Sequence, residues 1–172
     1  MKSFTQLYQE YRPMIFRYLY RCTGSYDLAE ELTQETFYQA ALSIAGFRGE
    51  SGVSTWLYRI ARNVRSKHRR KASRLLPAEP AWFETAAATN GDPEESLCEA
   101  ELAGRVESVL ASLPENYRSV ILMREVENLS YEEIGAALGK SPQAARVILF
   151  RAKKRFREIY STLEKGCLYE RK

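Results

Sequence analysis

Apolar residues along this chain recur at helical rather than alternating spacing, which predicts an all-α protein. Over 26–44 the apolar positions Leu28, Leu32, Phe37, Ala40, Ala41 and Ile44 trace one helix face. Ser3 with Gln6 reads as a capping box that opens a first helix. Pro13 interrupts that pattern, giving either two helices, about 4–12 and 13–22, or one kinked helix. Thr23-Gly24-Ser25 is a turn, 46–52 is a glycine-bearing loop, and a further helix runs from Val53 to Arg74. Asp92-Pro93-Glu94-Glu95 starts a helix that reaches about Ser112. Pro114 begins another, ending near Glu127. Ser130 with Glu133 is a second capping box, opening a short helix to Leu138. Gly139-Lys140 turns the chain, and Ser141-Pro142 starts a last helix to about Leu163.

Between the helical stretches, 76–91 holds Pro77, Pro80, a run of alanines and Asn90-Gly91, the composition of a linker. The expected architecture is two small helical domains, 1–75 and 92–172, on a flexible tether. About 17 tether residues reach ~55–60 Å when fully extended, so the linker does not fix how the domains sit.

Charge sharpens this division. Residues 1–76 carry 13 Lys/Arg against 6 Asp/Glu, 77–112 carry 1 against 8, and 113–172 carry 12 against 8. Two basic ends around an acidic middle point to two contacts with a polyanion, either nucleic acid or an anionic membrane surface. No apolar stretch approaches the roughly 20 residues needed to span a bilayer, and the N-terminus lacks a signal-peptide pattern. A cytoplasmic location is expected. Cys22, Cys98 and Cys167 are far apart and form no C-x-x-C pair, so no disulfide framework and no zinc site is expected. His68, the one histidine, lies in a basic run and reads as a solvated or phosphate-facing group. No Ser/His/Asp or Cys/His set, metal cluster or phosphate loop is present, so neither an enzyme nor a cofactor is expected.

Three segments carry functional signal. Leu129 to Arg157 reads as a helix-turn-helix: Gly135 leaves room for a close crossing, Gly139 suits positive φ, and the second helix ends in Arg151, Lys153, Lys154, Arg155 and Arg157. The first turns of such a helix enter the major groove. The 59–74 stretch holds eight basic residues and no acidic one, with Trp56 and Tyr58 at its start. Rings beside cations suit single-stranded DNA, although Trp56 also fits a core position. Asp27, Glu30, Glu31 and Glu35, beside Gln34 and Phe37, suit either a helix start or a protein-docking face.

These residues resemble the extracytoplasmic-function sigma factors of bacterial RNA polymerase. Ala29-Glu30-Glu31-Leu32-Thr33-Gln34-Glu35-Thr36-Phe37 is similar to their region 2.2. Phe47-Arg48-Gly49-Glu50-Ser51 and Thr55 through Asn63 resemble regions 2.3 and 2.4. Leu113 through Arg118 and Leu129 through Gly135 resemble region 4. The resemblance implies a non-enzymatic promoter-recognition subunit, with a stand-alone helix-turn-helix regulator as the alternative. It implies that Asp27, Glu30, Glu31, Leu32, Gln34, Glu35 and Phe37 bind core polymerase. Phe47, Arg48, Ser51, Thr55, Trp56, Arg59, Arg62, Asn63, Arg65 and Lys67 would engage the melted −10 strand. Ser141, Gln143, Ala144, Arg146, Val147, Arg151 and Lys153 would face duplex DNA at the −35 element. Partners implied are core polymerase, promoter DNA and an anti-sigma factor, commonly membrane-anchored, with the chain a monomer when free. One departure stands out: Ala144-Ala145-Arg146-Val147-Ile148 occupies the place of the family's usual Thr-Val-Lys-Ser-Arg, which throws base contact onto Gln143, Arg146 and Arg151.

Overall fold

The structure is a computed structural model. It describes the backbone of residues 3–47, 49, 52–75 and 93–170, and side-chain surroundings over that span except 73–75, 93–101 and 164–170. The described residues form α-helices α1 (Phe4–Thr23), α2 (Tyr26–Ser43), α3 (Val53–Leu75), α4 (Pro93–Ser112), α5 (Glu115–Ile121), α6 (Tyr131–Leu138) and α7 (Pro142–Glu170), with no strand among them. The linker expected at 76–91 and the cap expected at Asp92 lie outside the described residues.

Local chemistry sets the helix ends. The Ser3 and Ser130 hydroxyls accept from the Gln6 and Glu133 backbone amides, and both capping boxes close reciprocally. Gly24 and Gly139 end α1 and α6 with φ of 70° and 65°, the left-handed conformation that glycine adopts without strain. Pro13 does not split α1: it lies on the exposed side of one continuous helix, where water can satisfy the carbonyl it strands. The helix expected over 114–127 is also interrupted. α5 widens at Leu122–Val126 into a π-helical turn, and Asn128 follows at φ 55°.

α1, α2 and α3 pack around Ile15, Tyr18, Leu19, Leu32, Phe37 and Leu57, all buried. Complete burial of each such side chain contributes about 1.5–3 kcal/mol. Thr33 and Thr36 are buried in the same layer, their hydroxyls donating to the Ala29 and Leu32 carbonyls at 2.6 Å. In the second half α4, α5 and α6 pack on α7 around Val120, Met123, Ile134, Ala145, Leu149 and Ala152.

The two halves are not merely tethered. α3 packs on α6, and buried residues of both halves form one continuous apolar cluster. Polar contacts cross the same joint. Arg65 Nη2 lies 3.0 Å from Glu115 Oε1 and donates to Ser119 Oγ, while Ser66 Oγ donates to Glu115 at 2.6 Å. Arg69, Arg62 and Tyr58 reach Glu115, Asn116 and Glu127 at 3.0, 3.0 and 2.8 Å. Direct packing thus sets how the halves sit in this structure, which the linker by itself does not.

Candidate nucleic-acid interface

α3 has two polar faces with different surroundings. Thr55, Tyr58, Arg62, Arg65 and Arg69, at helical spacing, meet carboxylates, a hydroxyl and the Asn116 amide oxygen of the second half. Burial alone would raise the Glu115 carboxyl. The Ser66 hydroxyl and the Arg65 and Arg69 guanidiniums outweigh it and hold the group below its ordinary value. Tyr58 is buried and its hydroxyl is pushed up by burial and by donation to Glu127, so it is a joint residue rather than a stacking platform.

The other face is open. Arg59, Asn63 and Lys67 are exposed one turn apart, and Trp56 stands half-buried at their head with Phe47 4.8 Å away, centroid to centroid. Of the residues expected at the −10 strand, Trp56, Arg59, Asn63 and Lys67 thus line one side with Phe47. Thr55 and Arg65 are buried under the second half, and Arg62 is tied to Asn116. Arg48 and Ser51 lie outside the described residues.

Between this face and α2 runs a groove of about 630 Å³. Glu31, Gln34, Glu35 and Tyr38 form one wall, and Asn63, Lys67, His68 and Lys71 the other. The α2 residues expected at polymerase divide in the same way. Asp27, Glu31, Gln34 and Glu35 are exposed, and Tyr38 and Leu42 extend their surface with large apolar groups, 59% and 65% exposed. Leu32 and Phe37 are core residues, Phe37 edge-on to Tyr8, and are not part of this exposed surface. Glu30 is held by Arg12 at 2.6 and 2.8 Å.

α6 and α7 complete the helix-turn-helix. A Cβ at Gly135 would lie 2.8 Å from the Lys140 carbonyl oxygen, so the turn before α7 requires glycine there. Ser141 Oγ accepts from the Ala144 amide and starts α7. Gln143, Arg146, Val147 and Arg151 are exposed along its outer side, with Ala144 partly covered. Arg146 lies over the Tyr131 ring, 4.9 Å from its centroid. Lys153 turns back instead to Glu125 on the π-helical turn, at 2.8 Å. The sequence reading missed Phe150, which at 72% exposure is the most exposed large apolar side chain described. The signal was present: Phe150 sits three positions after Val147 on a face otherwise polar.

Residues 7–75 match the family model for sigma-70 region 2, and residues 103–156 that for sigma-70 region 4. The chain is 34% identical over 152 residues to the RNA polymerase sigma factor YlaC of Bacillus subtilis, covering 88% of each. It is 30% identical over 159 residues to the ECF RNA polymerase sigma factor SigE of Mycolicibacterium smegmatis, covering 92% of this chain. This chain is a member of the extracytoplasmic-function sigma factors of the sigma-70 family. It spans 62% of the length of the mycobacterial relative. The same fold occurs in the sigma factor RpoE of Bartonella quintana, solved in complex with the anti-sigma factor NepR. There the TM-score is 0.74 at 22% identity, over 94% of this chain and 98% of that one. A stand-alone helix-turn-helix regulator would account for region 4 alone, whereas this sigma factor carries region 2 as well. No helix among its described residues is long and apolar enough to cross a membrane.

Proposed function

We propose that this sigma factor is a non-enzymatic, cytoplasmic promoter-recognition subunit whose three exposed faces have separate tasks. The outer face of α2, with Asp27, Glu31, Gln34 and Glu35 beside Tyr38 and Leu42, docks the clamp helices of the polymerase largest subunit. The open face of α3, with Trp56, Arg59, Asn63 and Lys67, holds the melted −10 strand, its cations along phosphates and its ring available to a base. α7 enters the major groove at the −35 element, where Arg146 reads base edges and Val147 and Phe150 meet thymine methyls. The boundaries that fit are region 2 over 1–75, a linker over 76–91 and region 4 over 92–172.

The observation that carries this reading is the division of α2 and α3 into a packed side and an exposed side of matching chemistry. Thr55, Arg62 and Arg65 are already engaged at the joint, so DNA can reach them only where α3 parts from α5 and α6. An anti-sigma factor that covers α2 and holds the halves together would silence both DNA faces.

Unphosphorylated protein, purified without a partner, should support run-off transcription with core polymerase. Glu31→Lys combined with Glu35→Lys should abolish capture of core enzyme and leave helical circular dichroism unchanged. Reversal against basic partners costs several kcal/mol, so retained capture would remove α2 from the docking role.

A further inference from the structure

Arg146 is an exposed side chain on α7, yet its position is restrained. Its guanidinium carbon stands 4.9 Å from the centroid of the Tyr131 ring, and among the described residues it makes no hydrogen bond or ion pair. Tyr131 itself is fixed. It is the first residue of α6, directly after the Ser130 cap, and it packs partly buried against the core. Arg124 approaches the same ring, also at 4.9 Å, but is anchored by donating to the Leu129 carbonyl. The ring is therefore held from behind by the core and beside an anchored cation, and it is the contact that restrains the exposed Arg146.

The chemistry of this contact suits a reader of bases. A cation–π attraction acts through the ring electrons and uses none of the five N–H donors of arginine. Those donors remain available for two parallel bonds to a purine edge, while the side chain loses little freedom on binding. This chain has the more need of it because Ala144, Val147 and Ile148 offer no polar group, which leaves few polar side chains, Gln143 and Arg151 besides Arg146, on the outer side of α7.

We propose that Tyr131 is a positioning residue for promoter recognition: its ring pre-sets Arg146 for a guanine of the −35 element. The inference rests on the reading of α7 as the −35 helix. Tyr131 touches no base in this scheme and acts through Arg146 alone.

The test is selection from a promoter library randomised over the −35 element, using holoenzyme reconstituted with each variant. Arg146→Ala should erase the preference for guanine at one or two −35 positions and leave the −10 preference intact. Tyr131→Leu should weaken the same preference by about two- to fivefold, the strength of an exposed cation–π contact. Tyr131→Phe should keep it, because the ring survives. Phenylalanine at 131 carrying one, two or three ring fluorines preserves shape while draining the ring electrons, so the preference should decline in step. That series keeps the test decisive if Tyr131→Leu folds poorly. Tyr131→Leu should add nothing in an Arg146→Ala background. If Arg146→Ala leaves every −35 position unchanged, the reading of α7 fails and the inference with it. If Arg146→Ala alters a position but the fluorine series is flat there, only the role of Tyr131 is overturned.

Discussion

α3 and α7 are both cationic helices read as DNA-facing, but they handle charge in opposite ways. On α3 three of the eight cations are engaged across the joint: Arg65 and Arg69 pair with Glu115, and Arg62 donates to the Asn116 side-chain oxygen. On the front of α7 the exposed cation Arg146 has an aromatic ring for a partner and keeps its donors. A run of basic residues is therefore not one surface. Cations that join two packed halves stabilise the protein, and cations outside that joint remain for a polyanion.

The strongest way to break this contrast is Arg65→Ala. It leaves Glu115 with only the exposed Arg69 of its two cations and Ser119 without its donor, and removing one member of a buried pair costs about 3 kcal/mol. Urea unfolding should show that loss, whereas Arg146→Ala should cost no more than the exposed cation–π contact it removes, about 0.5–1 kcal/mol. Equal effects would mean that the α3 charges are as solvated as those of α7.

Gly135→Ala attacks the other side. The added methyl meets backbone at 2.8 Å, so the turn before α7 must shift, at a cost of about 1–3 kcal/mol. Binding of −35 duplex by holoenzyme should fall, while melting of a −10 element on an otherwise optimal promoter should persist. Loss of both together would show that the faces are not separable.

The smallest effect sharpens the picture through pH. The folded Glu115 carboxyl titrates below its ordinary value of 4.5. Its stabilisation is complete above that value and is lost as pH falls through the folded value. Glu115→Gln should therefore be less stable than wild type by about 1.5 kcal/mol at neutral pH, with the gap closing in acid below 4.5. A gap that is constant with pH would assign the loss to shape rather than charge.

Much of the fold was legible because its signals are local. Ser3 with Gln6, Ser130 with Glu133, and Gly139 each act within four residues, and each boundary falls where the sequence places it. The joint was not legible because its partners lie far apart in sequence, 54 residues for Arg65 and Ser119 and 78 for Thr55 and Glu133. Its trace was nonetheless present: Thr55, Tyr58, Arg62, Arg65 and Arg69 share one side of α3, and Glu115, Glu127 and Glu133 offer matching acceptors. The π-helical turn had no comparable mark, since Leu122 to Val126 reads as ordinary helix. For the candidate site, the sequence did not show which side of each element is exposed. Leu32, Phe37 and Tyr58 face the core or the joint, and Lys153 faces Glu125.

Arg118 gives this arrangement a further property. Its guanidinium donates to the carbonyls of Leu110 and Ala111, where α4 ends, and to that of Cys22 near the end of α1. Two helix termini thus share one cation, although they belong to different halves of the chain. When the halves part, the bond to α1 is exchanged for water while those to α4 can persist, so fraying is asymmetric. Amide hydrogen exchange at the tail of α1 then reports separation directly, whereas the tail of α4 stays protected until its own half unfolds.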